Sequence, residues 1–108
     1  MTTKTNIIPA HLENNRYWRG TLYLFQNHSK LNQFFTTQYF DFREERIKIQ
    51  SLKRTFAPFS HSEKIMLNLA LHLYNERNKF NLTDLDYLDS NNKVLAFKAI
   101  QMRFNYYL

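Results

Sequence analysis

Residues 60–74, SHSEKIMLNLALHLY, decide the fold class. Ser60 followed by Glu63 fits a capping box, in which the hydroxyl accepts from a free amide at the helix start and the Glu reaches back to the cap. From there Ile65, Met66, Leu67, Leu69, Ala70, Leu71, Leu73 and Tyr74 predict a helix running to about Tyr74 and apolar nearly all round. A helix of that kind is buried, so other helices must wrap it. Pro58 sets the boundary before it and argues that Ala57 is not helical.

Working toward the N-terminus, Leu12, Trp18, Leu22 and Phe25 recur at helical spacing between Pro9 and Gln26. They predict one helix, or two broken near Asn14–Asn15. Gly20 inside that run costs about 1 kcal/mol against Ala, so the helix either bends there or meets another backbone at close range. Ser29 can cap a short helix, Lys30 to Thr36, presenting Leu31, Phe34 and Phe35. Residues 1–8 read as a flexible leader, and 9–108 as a single helical domain.

The stretch TQYFDFREERIKIQSLKRTFAPF, residues 37–59, is the least regular. Arg46 to Gln50 alternates polar and apolar, a strand signal with no obvious partner, so an extended segment and a short helix both remain open. After the central helix, Asn75 to Leu82 is a polar turn, and Thr83 can cap a one-turn helix through Leu88. Asp89 or Ser90 can cap the last helix, Asn91 to about Phe104. Its periodicity turns Val94, Phe97, Ala99, Ile100 and Phe104 inward and leaves Lys93, Lys98 and Arg103 to solvent. The expected fold is all-α, a compact bundle of about four or five helices with an irregular basic segment in the middle.

A chain of 108 residues, 44% hydrophobic and 22% charged, is long enough for one core and has the composition of a folded protein. One glycine and two prolines leave little for hairpin-rich β architectures or phosphate-cradling loops. No cysteine means no disulfide, no Cys-ligated zinc and no thiol nucleophile, which suits the cytoplasm. The start of the sequence lacks a secretory pattern, and no apolar run approaches the roughly 20 residues of a membrane span, so no membrane partner is expected. Aromatic residues form 17% of the chain. Two causes compete for that excess: A/T-rich codons, and a stacking or interface role.

The net charge of +6 attracts nucleic acid or acidic partners. Arg43, Arg46, Lys48, Lys53 and Arg54 concentrate it, with Tyr39, Phe40, Phe42, Phe56 and Phe59 flanking them. Cations for phosphates and rings for bases are what single-strand binders combine; the bland reading is a solvated basic face. We take Arg43, Arg46, Lys48, Lys53, Arg54, Tyr39 and Phe40 as the candidate partner-binding residues. Asp84, Asp86 and Asp89 lack the Gly and closing Glu of a calcium loop and read better as helix-capping acids. Asp41, Glu44 and Glu45 lack the partners of a two-metal site and are expected to pair with Arg43, Arg46 or Lys48. His11, His28, His61 and His72 have no close paired spacing, and His72 is expected beside the core on the central helix. No catalytic residue, metal site or cofactor is therefore expected.

Arg54 and His61 resemble in spacing the motif of all-helical, metal-independent ribonucleases of the HEPN superfamily, although Pro58 interrupts the helix that carries that motif. The order of features as a whole resembles an uncharacterised family of small proteins from phages and mobile elements of Gram-positive bacteria. The matching pieces are Arg16-Tyr17-Trp18-Arg19 with Leu22-Tyr23, Tyr39-Phe40-Asp41-Phe42, Ile47-Lys48 with Leu52, Leu69 to Asn75, and Ala99 to Phe104. A Gly-Trp-Gln segment of that family is replaced here around Arg54-Thr55-Phe56. The resemblance brings no known activity and so transfers no catalytic residues; small phage-borne proteins without an active site often occupy a host enzyme, CRISPR and other defence nucleases included.

The expected function is thus a non-enzymatic binder of a protein or nucleoprotein complex that handles nucleic acid, inhibiting or adapting it. Direct binding of single-stranded DNA or RNA is the second reading, and a small ribonuclease using Arg54 and His61 the third. Oligomeric state is not set by the sequence.

Overall fold

The computed structural model describes residues 7–107. Most of the expected leader lies outside them, but Ile8 already packs on the core. The fold is mostly helical: α1 (Ala10–Glu13), α2 (Arg19–Asn27), α3 (Ser29–Gln33), α4 (Ile49–Phe56), α5 (His61–Tyr74), a 3-10 helix (Leu82–Tyr87) and α6 (Ser90–Phe104). Between α3 and α4 lies a two-stranded antiparallel ladder, β1 (Phe40–Asp41) with β2 (Arg46–Ile47).

α5 forms where the sequence places it. Ser60 Oγ accepts from the Glu63 amide, and Glu63 accepts in return from the Ser60 amide. Its buried residues are Ile65, Met66, Leu67, Leu69, Ala70, Leu71 and Leu73. The N-terminal run takes the broken form, parting between Asn14 and Trp18. α2 then lies against both α5 and α6. The Thr21 hydroxyl, fully buried, donates to the Ala70 carbonyl of α5 at 2.7 Å, and Arg19 Nε donates to the Met102 carbonyl of α6. Between these two ties Gly20 meets α6 so closely that a Cβ there would lie 2.7 Å from the Ala99 carbonyl oxygen and 3.2 Å from Leu73 Cδ1. Close backbone approach, not a bend, is therefore what the glycine serves.

That contact overturns the expected orientation of α6. Ala96 and Ala99 face the core and Ile100 is half-buried, while Val94, Phe97 and Phe104 are exposed. Two helices whose backbones come this close accommodate only small residues between them, so the larger side chains turn outward. Helix starts differ from expectation in detail. His28, not Ser29, caps α3 through Nδ1, which accepts from the Leu31 amide; Asn81, not Thr83, caps the 3-10 helix; Asp89 caps α6 by accepting from the Asn92 amide at 2.8 Å. Ala57 keeps right-handed helical angles (φ −52°, ψ −41°) despite Pro58, although the helix stops at Phe56 as a boundary requires.

The middle segment is also more regular than expected. β2 finds its partner in β1, with Phe40 opposite Ile47 and Asp41 opposite Arg46. The Asp41 carboxylate accepts from the Glu44 amide across the turn, where Glu45 takes a left-handed conformation (φ 53°). Tyr74 Oη at the end of α5 accepts from the Ile47 amide, tying the hairpin to the central helix.

Gly20→Ala should lower stability by about 1–3 kcal/mol, because overpacking against Ala99 outweighs the better helix propensity of Ala. Urea unfolding measures this; equal or higher stability would remove the close α2–α6 contact. The His28 imidazole is held below its ordinary 6.5, chiefly by burial, with Glu63, Asn92 and Asp89 acting in the opposite direction. The unfolded chain therefore binds the proton more readily, and a proton on Nδ1 ends the α3 cap. Stability should be full above the unfolded value and fall as pH drops from about 7.5 to about 5.5. In His28→Asn, which keeps a capping oxygen, thermal midpoints over that range should change less; an unchanged slope would absolve His28.

Candidate functional site

The five basic candidates stand on the hairpin and on α4. Arg43 occupies the hairpin turn, Arg46 is on β2, Lys48 is the N-cap residue of α4, and Lys53 and Arg54 lie on the helix itself. All five are exposed. α4 is amphipathic for a simple reason: Leu52 and Phe56, one turn apart, go into the core, so Gln50, Lys53, Arg54 and Ala57 share the opposite face.

Two of the acids near these cations are engaged elsewhere. Glu45 reaches His11 at 3.3 Å, and Asp41 holds the Glu44 amide. Among the described residues none of the five cations forms an ion pair with an acid, contrary to the pairing expected with Asp41, Glu44 or Glu45. Arg54 instead donates to Ser51 Oγ at 3.3 Å. The positive charge of the segment thus faces solvent without an acidic partner among the described residues.

Tyr39 and Phe40 are not on this surface. They are 5% and 2% exposed, and their rings are core. Phe40 meets Phe25 and Phe35 edge-on at 4.8 Å each, and the Tyr39 hydroxyl hydrogen-bonds with Thr55 Oγ1 at 3.1 Å. Phe42, Phe56 and Phe59 are likewise packed, Phe42 on Trp18 and Phe40, and Phe56 and Phe59 on each other and on Phe34. The rings that flank the cations in sequence therefore hold the segment together, Tyr39, Phe40 and Phe56 buried and Phe42 and Phe59 half-buried. A sequence places residues beside one another without saying which side of the chain is inward; here the cations point out and the rings in.

Arg54 and His61 sit on different helices. His61 is the first residue of α5 and lies 5.1 Å from the Tyr87 ring, while Arg54 is held by Ser51 on α4. His72 is half-buried on α5 beside Phe80, with Nδ1 2.8 Å from the Asn78 carbonyl. In the polar cleft lined by His28, Ser60, Glu63, Asp89 and Asn92, the starts of α3, α5 and α6 converge. An amide at each start already donates to its cap, Leu31 to His28 Nδ1, Glu63 to Ser60 Oγ and Asn92 to the Asp89 carboxylate.

A second concave feature was not legible as a site. It is a cavity of about 680 Å³ lined by the C-terminal parts of α5 and α6, by Phe80 on the loop after α5, by Leu82 at the start of the 3-10 helix, and by Tyr17. Arg103 and Phe104 belong to it, the first read from sequence as a solvent-facing cation and the second as core. No local pattern signals it, because its walls come from four separated stretches. Among the described residues no helix is long and apolar enough to cross a membrane.

The difference between rings and cations is measurable. Phe40→Ala should destabilise by about 3–5 kcal/mol, whereas Arg43→Glu or Lys53→Glu should stay within about 0.5 kcal/mol of the parent. Denaturant midpoints read both; a tolerated Phe40→Ala would put that ring back among the contact residues. Compared with protein-family models, curated proteins and solved structures, the chain matches none.

Proposed function

We propose that the protein is a non-enzymatic binder of a nucleic-acid-handling complex, which it inhibits or adapts, with Arg43, Arg46, Lys48, Lys53 and Arg54 as the contact residues. The observation that carries this reading is the exposure of all five cations without an acidic partner among the described residues. Unpaired exposed cations raise the rate of encounter with an acidic surface and fix its orientation. The resemblance to small phage and mobile-element proteins points to the same kind of target, a defence nuclease among them. Tyr39 and Phe40 enter only as supports, since their rings pack beneath the segment.

Burial of the flanking rings favours an acidic protein surface over bare single strands, because base stacking needs accessible ring faces. The tagged protein, purified from cytoplasm with and without nuclease, should retain a stoichiometric protein partner after nuclease treatment. The triple variant Arg46→Glu, Lys53→Glu, Arg54→Glu should lose that partner while remaining folded. Unchanged capture by this variant would remove the basic face. Recovery of nucleic acid alone, with affinity falling steeply in salt, would put direct nucleic-acid binding in its place.

A further inference from the structure

The cavity at the C-terminal ends of α5 and α6 is separate from the basic face, since no residue of the hairpin or of α4 lines it. Its volume of about 680 Å³ falls inside the range of small-molecule sites, about 300–1,000 Å³. Leu69, Leu73, Phe80, Leu82, Ile100 and Phe104 give it a largely hydrocarbon wall. Two of them are unusually open for large apolar side chains, Leu82 at 68% and Phe104 at 63% exposure. Both thus leave hydrocarbon in water at the rim of a concave surface.

One cation joins these walls. The Arg103 guanidinium lies over the Tyr17 ring at 4.4 Å from its centre and near Phe104 at 4.8 Å. It is half-buried, and among the described residues it has neither a hydrogen-bond acceptor nor an acidic partner. A guanidinium resting on ring faces keeps its in-plane N–H donors for a planar, two-oxygen acceptor, and a carboxylate has that geometry. Glu76 also lines the cavity and is exposed, which disfavours a second negative charge. His72, another wall residue, has Nδ1 committed to the Asn78 carbonyl at 2.8 Å.

We propose that this cavity binds a monoanionic amphiphile, an apolar chain ending in one carboxylate, with Arg103 holding the carboxylate and the α5–α6 walls covering the chain. A peptide is less suited, because the wall supplies side-chain hydrocarbon and a single cation and no free strand edge for a peptide backbone to pair with.

The test is calorimetric titration of the full chain with palmitate below its micellar concentration, and with hexadecanol as the uncharged control. Palmitate should bind one to one. Arg103→Gln should weaken palmitate by about tenfold or more and hexadecanol by less than about threefold, as the loss of one charge-assisted contact requires. Leu82→Glu, at an exposed position that folding tolerates, should weaken palmitate through like-charge repulsion. Circular dichroism of each variant separates lost binding from lost folding. The triple variant of the basic face should bind palmitate as the parent does, so this proposal and the proposed function fail independently.

Absence of palmitate binding to the folded parent would overturn the proposal. So would equal weakening of palmitate and hexadecanol by Arg103→Gln, because the anion would then play no part. Binding of an acidic, apolar-tipped peptide in place of palmitate, or self-association that closes the cavity, would assign it to a different occupant.

Discussion

The approach of α2 to α6 at Gly20 and Ala99 is the constraint on which the rest of the structure depends. A Cβ at position 20 would come within 2.7 Å of the Ala99 carbonyl oxygen, so the two backbones are as close as a glycine allows. The Thr21 hydroxyl reaches the Ala70 carbonyl, and Arg19 reaches the Met102 carbonyl, so the same turn of α2 is tied to α5 on one side and to α6 on the other. With small residues required at the crossing, α6 presents Ala96 and Ala99 inward. Val94, Phe97 and Phe104 are thereby left outside. The cavity beside Phe104 and Arg103 lies toward the C-terminal end of the same helix.

The aromatic excess has an internal explanation that neither codon usage nor surface stacking covers. Trp18, Phe25, Phe35, Phe40, Phe42 and Tyr74 form a chain of ring contacts that fills the space between the helices and the hairpin. Phe34, Tyr39, Phe56 and Phe59 make a second group under α4. Large flat side chains suit a core with short helices, because each ring covers much area without needing a long complementary ridge. The hairpin is held mainly this way: its ladder is two residues long on each side, too short to stand alone.

The basic face follows from the same packing. Ile47, Leu52 and Phe56 are drawn into the core, and their burial fixes which side of β2 and α4 is left for Arg46, Lys53 and Arg54. Glu45 pairs with His11 and Asp41 with a backbone amide, and among the described residues no acid forms an ion pair with these cations. The proposed contact surface and the proposed amphiphile site therefore rest on different elements and on different physics, open charge in the first and a concave hydrocarbon wall in the second.

The sequence by itself determined what depends on neighbours within a turn or two. The capping box at Ser60 and Glu63, the span of α5 and the extent of α6 are set by local hydrogen bonds and periodicity and were legible, while the break near Asn14–Asn15 was one of two readings left open. The exposure of Arg43, Arg46, Lys48, Lys53 and Arg54 was legible too, since charge resists burial without a partner. Only the tertiary structure decided the partner of β2, the inward turn of Tyr39 and Phe40, and the rotation of α6 that exposes Phe97 and Phe104. The physical reason is common to all of these. A residue such as Phe or Tyr has ample area to bury on either side of its element. Which side is chosen depends on how distant segments pack: for α6 on the close approach at Gly20 and Ala99, and for Phe40 on the rings of Phe25 and Phe35.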